Sequence, residues 1–205
     1  ISMGENEHQD FKYSVSDARK IARSISAFTN NGGGRLLIGV KDNGVISGVR
    51  NEEDVYVVEL AASRYCRPPH PVEFHAYKAE GGILVIVAEI EAAAERPVCV
   101  AEADGRLRAY YRVADENIAA SPLMEAAWRQ AASSAAPTLV LGAVHTSLLE
   151  FLAEGGALRD ERQAAIALHV SVETAREAIV ALAAAGLVGF RHGLSGFEIV
   201  AAAEN

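Results

Sequence analysis

The sequence predicts an α/β domain, a mixed α+β sheet carrying two helices, followed by a smaller unit of helices closed by a β-hairpin. Three observations predict this. An amphipathic stretch over 16–29 runs into Gly32-Gly33-Gly34 and then into the apolar Arg35-Leu36-Leu37-Ile38-Gly39-Val40. The run Ile83-Leu84-Val85-Ile86-Val87-Ala88 is apolar on both faces, as an interior strand is. Beyond an Ala/Ser stretch near 131–137 the rhythm turns helical three times and ends in two short strands.

The elements follow in order. In 16–29, Ala18, Ile21, Ala22, Ile25 and Phe28 share one helical face, and Arg19, Lys20 and Arg23 the opposite one. Ser16 is positioned as N-cap, and Gly32, Gly33 and Gly34 form the structural turn that ends the helix. Strands are expected at 35–41 and 45–49 around the turn Asp42-Asn43-Gly44. A second helix is expected over 52–65, its apolar contacts from Val55, Val58, Leu60 and Ala62, stopped by Cys66-Arg67-Pro68-Pro69. Further strands fit 72–77, 83–90, 98–101 and 107–113. Ser121-Pro122 starts a helix through Trp128, and 131–137 reads as a linker. Helices are expected at 146–154, 159–168 and 172–185, then a hairpin over 187–200 with its tip at His192-Gly193-Leu194-Ser195-Gly196. The expected domains are 1–120 and 137–205, with a helix and linker over 121–136.

Composition sets limits. Half the chain is apolar and 22% is charged, so it can bury a core. No apolar run reaches membrane-spanning length, and no signal peptide is visible, so no membrane partner is expected. The two cysteines, Cys66 and Cys99, fit no metal spacing and read as buried thiols in a reducing, cytoplasmic setting. The net charge of −8 argues against indiscriminate nucleic-acid binding, because phosphate affinity comes from Lys and Arg. Any such binding needs a local basic patch.

Several motifs stand in order: Gly4-Glu5-Asn6-Glu7-His8-Gln9-Asp10-Phe11-Lys12, Ser26-Ala27-Phe28-Thr29-Asn30-Asn31-Gly32-Gly33, Gly39-Val40-Lys41-Asp42-Asn43-Gly44, Gly48-Val49, and the block from Arg108 to Asn117. Over roughly residues 4–120 this order resembles the Schlafen Alba-like domain family, once catalogued as a divergent AAA type. Beyond it, three helices and a hairpin resemble a winged helix, with Gln163–Arg176 similar to its helix-turn-helix.

The candidate sites divide into four. The glycine turn could cradle phosphate, but a P-loop puts its glycines after a strand and closes with Gly-Lys-Ser/Thr; here they follow a helix, so ATP is not expected. The resemblance implies a carboxylate trio, Glu5, Asp10 and Asp42, which in some eukaryotic relatives supports metal-dependent RNA cleavage. Asp10 stands where the family usually has Glu, Glu7 is an alternative ligand, and Asp42 also reads as an ordinary turn residue. The third site is basic: Arg19, Lys20 and Arg23, extended by Lys12, Arg106, Arg108 and Arg112 if the closing strand lies nearby, with Tyr110 and Tyr111 as candidates to stack on bases or ribose, one of the two being expected to face the core. The same helix face reads equally well as solvated and paired with Asp17 and other acids. The fourth is the 172–185 helix, capped by Ser171, with Thr174 and Arg176 at its front and Arg191 and His192 on the hairpin. Against it, residues 137–205 hold four basic and eight acidic side chains.

The expected function is a DNA-binding transcriptional regulator. Its first domain contacts phosphates, and its winged helix reads DNA or pairs two copies as a homodimer. The alternatives are a metal-dependent nuclease acting on RNA and a protein–protein adaptor. No cofactor is expected unless the nuclease reading holds, when a divalent metal would be needed.

Overall fold

A computed structural model describes residues 4–49, 53–133, 140–193 and 196–202. The chain separates into two compact units, 1–120 and 121–205.

In the first unit, β1 (Gln9–Lys12) leads through α1 (Ala18–Asn30) to β2 (Gly34–Ile38), and the two strands run parallel with Gln9 beside Arg35 and Lys12 beside Ile38. A helix is the natural crossover between parallel neighbours. α2 (Glu53–Leu60) continues as a wider turn over Ala61–Tyr65 and gives way to the short β3 (Cys66–Arg67). Next come β4 (Glu73–Lys78), β5 (Leu84–Ile90), β6 (Cys99–Ala101), β7 (Leu107–Val113) and β8 (Glu116–Ala119). Two four-stranded sheets result, in the orders β1-β2-β5-β4 and β3-β6-β7-β8. β5 is interior, as its two apolar faces predict.

α1 packs between the sheets. Ile21, Ala22, Ile25 and Phe28 join one cluster with Leu36, Ile38, Ala88 and Ile90 of the first sheet and Val98, Val100 and Tyr110 of the second. From Ser24 to Asn30 every residue of the helix is buried, the polar ones included. A one-sided amphipathic reading is therefore incomplete. Opposite the apolar stripe, the second sheet buries Ser26 and Asn30, and each has its hydrogen-bonding capacity met there.

Local details differ from the sequence reading for identifiable reasons. Asp17 caps α1 in place of Ser16: its carboxylate accepts from the Arg19 and Lys20 backbone N–H groups at 2.9 and 3.1 Å, and a charged acceptor suits the positive helix end. The expected strand at 45–49 reduces to a single bridge, Val40 to Ile46. Gly39 and Gly48 sit at φ +91° and +80°, and Ser47 and Gly48 both donate to the Gly39 carbonyl, so the chain folds on itself instead of extending. The glycine turn is tight: the Gly33 N–H bonds the Phe28 carbonyl at 2.8 Å, and a Cβ on Gly34 would run into the Phe28 ring. The expected start of the second helix at residue 52 lies outside the described residues. β8, absent from the sequence reading, pairs with β7 through a turn that holds Ala114 at φ 53°.

The second unit contains α3 (Pro122–Ser133), α4 (Ala143–Ala153), α5 (Glu161–Leu168), α6 (Val172–Ala184) and an antiparallel hairpin of β9 (Val188–Gly193) and β10 (Gly196–Ala201). Its core gathers Leu148, Leu152, Ala164, Ile179, Leu182, Val188 and Ile199, with Leu123 of α3 among them. The helix expected to stand with the linker thus packs with this unit, against α6. The linker residues from Ser134 onward, and Leu194 and Ser195 of the hairpin tip, lie outside the described residues. Ser171 caps α6 through the Thr174 N–H at 3.1 Å, and Asp160 caps α5. Among the described residues no helix is long and apolar enough to cross a membrane. Cys66 and Cys99 are buried free thiols, and burial pushes the Cys66 thiol up to about 12.

Candidate nucleic-acid interface

The exposed flank of α1 meets the β6–β7 hairpin. Arg23 Nε and Nη2 donate to the two carboxylate oxygens of Glu102 at 2.8 and 2.7 Å, and its guanidinium lies 5.7 Å from the Tyr110 ring centre. The Tyr110 hydroxyl donates to the same carboxylate at 2.6 Å. One turn earlier, Arg19 stacks on Tyr65 at 5.0 Å, with its Nε buried and unpartnered. Lys20 is exposed. On the hairpin, Arg106 and Arg108 are exposed, and Arg108 bonds Asp104 at 2.8 Å. Arg23 and Arg108 both act electrostatically on Glu102 and Tyr110, so these two cations share one surface.

Arg112 is a correction. The sequence reading places it with the phosphate-contacting cations, but it is 2% exposed and lies over the Phe28 ring at 4.8 Å. It donates to Asn117 Oδ1 and to the Asn6 carbonyl, and its Nη1 is 3.8 Å from Asp10. β7 is buried from Ala109 through Arg112, and there Arg112 ties the strand to the chain before β1. Tyr110 and Tyr111 are also buried, at 8% and 7% exposure, so neither ring is free to stack on a base.

Glu102 is held below its ordinary value of 4.5, first by the Arg23 hydrogen bonds, with burial opposing and Tyr110 assisting. A depressed folded-state pKa means the contribution to stability is full above the unfolded value and is lost as pH falls through the folded one. The urea midpoint of the first unit, followed from about pH 7 to about pH 3, is expected to fall on the acid side, and Glu102→Gln to flatten that fall. A wild-type and variant pair with parallel profiles would contradict this. Glu5 acts with the opposite sign: burial, then a hydrogen bond shared with Asp10, raises its carboxyl, so its contribution favours folding as pH decreases.

The three carboxylates singled out in the sequence line one cleft of about 370 Å³, together with Lys12, Lys20 and Asp115. Asp115 is the member the sequence reading lacks, because it arrives from the β7–β8 turn far along the chain. The donors do not fit a divalent ion as they stand. Lys12 Nζ is 2.7 Å from Asp10 Oδ2, and Glu5 Oε1 accepts from the Phe11 N–H at 2.9 Å. Among the described residues no group of three or more His, Cys, Asp or Glu is placed to hold a metal ion. Glu7 is not among the residues lining the cleft.

In the second unit the two candidate arginines have partners: Arg176 is 3.7 Å from Glu161, and Arg191 is 2.7 Å from Glu198 across the hairpin. Thr174 and Ser171 share a hydroxyl–hydroxyl bond at 2.8 Å. Thr174, Arg176 and Glu177 line a groove of about 560 Å³ whose walls include Ala126 of α3, Val144 of α4, and Val180 and Ala181 of α6. From Ala178 to Ala184 no residue of α6 is fully exposed.

Residues 5–121, more than half of the chain, match the family model described as Schlafen, AlbA_2, and the protein belongs to that family. The crystal structure of the DIP2311 protein from Corynebacterium diphtheriae is similar at 20% identity and a TM-score of 0.47, over 93% of this chain and 34% of that one. This chain thus spans about a third of that chain's length. No curated protein matches it.

Proposed function

We propose that this protein binds nucleic acid as a DNA-binding regulator, with its first unit gripping the phosphate backbone. The observation that carries this reading is the surface formed by α1 and the β6–β7 hairpin. Arg19, Arg23, Arg106 and Arg108 stand there against Asp17, Glu102 and Asp104, a small local positive excess on a chain of net charge −8, while Lys20 lines the carboxylate cleft. Arg19 is stiffened by the Tyr65 ring, which lowers the entropy lost on gripping a phosphate.

The second unit has the element order of a winged helix, three helices and a hairpin after the leading α3. In this reading it pairs two copies about a two-fold axis rather than reading bases, because residues 137–205 carry four basic against eight acidic side chains. Pairing doubles a modest phosphate-binding surface. A nuclease reading finds less support, since two of the cleft's carboxylate oxygens, Asp10 Oδ2 and Glu5 Oε1, are engaged by the protein's own donors.

Fluorescence anisotropy with a labelled DNA duplex, titrated at several salt concentrations, tests the reading. Binding is expected whose affinity falls steeply as salt rises. No binding at low salt would overturn it.

A further inference from the structure

We infer that the Lys12 ammonium is the resident cation of the Glu5–Asp10–Asp42 cleft, so that a divalent ion enters only by displacing it. Lys12 follows Asp10 by two positions on β1, and the side chain folds back: Nζ is 2.7 Å from Asp10 Oδ2 and donates to the Phe11 carbonyl at 2.9 Å. These are two oxygens that a hard cation would take as ligands. A third, Glu5 Oε1, receives the Phe11 N–H at 2.9 Å. Opposite Lys12, Arg112 Nη1 stands 3.8 Å from the same Asp10 oxygen, with its side chain wholly buried.

The charges explain why this arrangement closes the cleft to a metal ion. Asp10 is 4% exposed, and a carboxylate so buried needs a positive partner close by. Lys12 and Arg112 supply it from within the chain. An incoming divalent ion that uses the Asp10 carboxylate would have to replace the Lys12 ammonium at Oδ2. Lys12 is the partner that can leave, since its side chain keeps 22% of its surface in contact with solvent whereas that of Arg112 keeps none. The same geometry withdraws Lys12 from the phosphate-contacting set. This inference rests on the donors of the cleft and not on nucleic-acid binding, so either can fail without the other.

The test is a Mn²⁺ titration of the full chain, with free Mn²⁺ read by its electron paramagnetic resonance signal. Wild type is expected to show no saturable site up to about millimolar Mn²⁺, a concentration that would fill a weak oxygen site. Lys12→Met should bind at least about tenfold more tightly, because a unit positive charge has left the immediate surroundings of the ligand oxygens. Adding Asp10→Asn to Lys12→Met should abolish that gain. Circular dichroism checks folding, and Lys12→Gln serves if the Met variant does not fold. Wild type binding Mn²⁺ as tightly as the Lys12 variant, or a folded Lys12 variant with no gain, overturns the inference.

Discussion

Asn30→Ala is expected to destabilise the first unit by about 3–5 kcal/mol, because it strands the buried Tyr110 carbonyl and Val98 N–H at once. Asn30 Nδ2 donates to the Val98 and Tyr110 carbonyls, both at 2.9 Å, and its Oδ1 accepts from the Val98 N–H at 2.9 Å. Ser26 completes the clasp: its hydroxyl donates to the Val98 carbonyl at 2.7 Å and accepts from the Tyr110 N–H at 3.0 Å. Between them these two side chains fasten α1 to the start of β6 and to β7. Each buried group left unpaired costs about 1–3 kcal/mol, and partial relaxation keeps the total below a simple sum. Asn30→Asp should be about as damaging despite its equal size. It keeps the acceptor for Val98 N–H but sets a carboxylate oxygen against two carbonyls. The chain's one tryptophan, Trp128, lies in the second unit, so its fluorescence reports the wrong transition. Hydrogen exchange of the α1 amides under increasing urea reads the loss directly. A change below about 1 kcal/mol would show that the clasp is not what holds the helix between the sheets.

Replacing Lys20 and Arg106 together by alanine is expected to make the salt dependence of DNA binding shallower by about 1.8 in logarithmic slope, near 0.9 for each lost phosphate contact. These two are the appropriate targets because both are exposed and, among the described residues, neither forms an ion pair. Alanine there removes charge without leaving a buried acid unpaired. Arg23→Ala would not be so clean. It would strip both hydrogen bonds from Glu102, whose side chain is 6% exposed, and any loss of binding would be mixed with loss of stability. Arg112 is unsuitable for the same reason. The measurement is the anisotropy titration of wild type and the double variant side by side, with circular dichroism to confirm equal folding. Identical slopes would remove the α1 and β6–β7 surface from the interface and leave the second unit as the remaining candidate.

The two kinds of candidate residue were legible in the sequence to different degrees. Glu5, Asp10 and Asp42 stand in motifs that flank β1 and β2, adjacent parallel strands, so their meeting in one cleft follows from local order. The basic residues of α1 share a face because helical period places them there. Their partners come from elsewhere: Glu102 and Tyr110 lie at the far end of the domain sequence and reach Arg23 only when the second sheet packs on α1. The motif Ser26-Ala27-Phe28-Thr29-Asn30 is informative in the same way. Its serine and asparagine look like surface residues beside an apolar stripe, yet they are buried, because a helix clasped between two sheets has no solvent side over its last turns.

The family, the presence of the helices, the interior place of β5 and the cap of α6 were readable from the residues alone, whereas β8 and the loss of the 45–49 strand were not. Each of the readable features depends on periodicity, turn residues or motifs within a few positions of one another. Which charges are free is a matter of packing. Arg112 and Tyr110 turned inward, Arg23, Arg176 and Arg191 found carboxylates, and Lys12 folded back onto Asp10. The physical reason is range. Secondary structure is set by neighbours along the chain, whereas the charge a surface offers to a ligand depends on which distant carboxylates packing brings within hydrogen-bond reach.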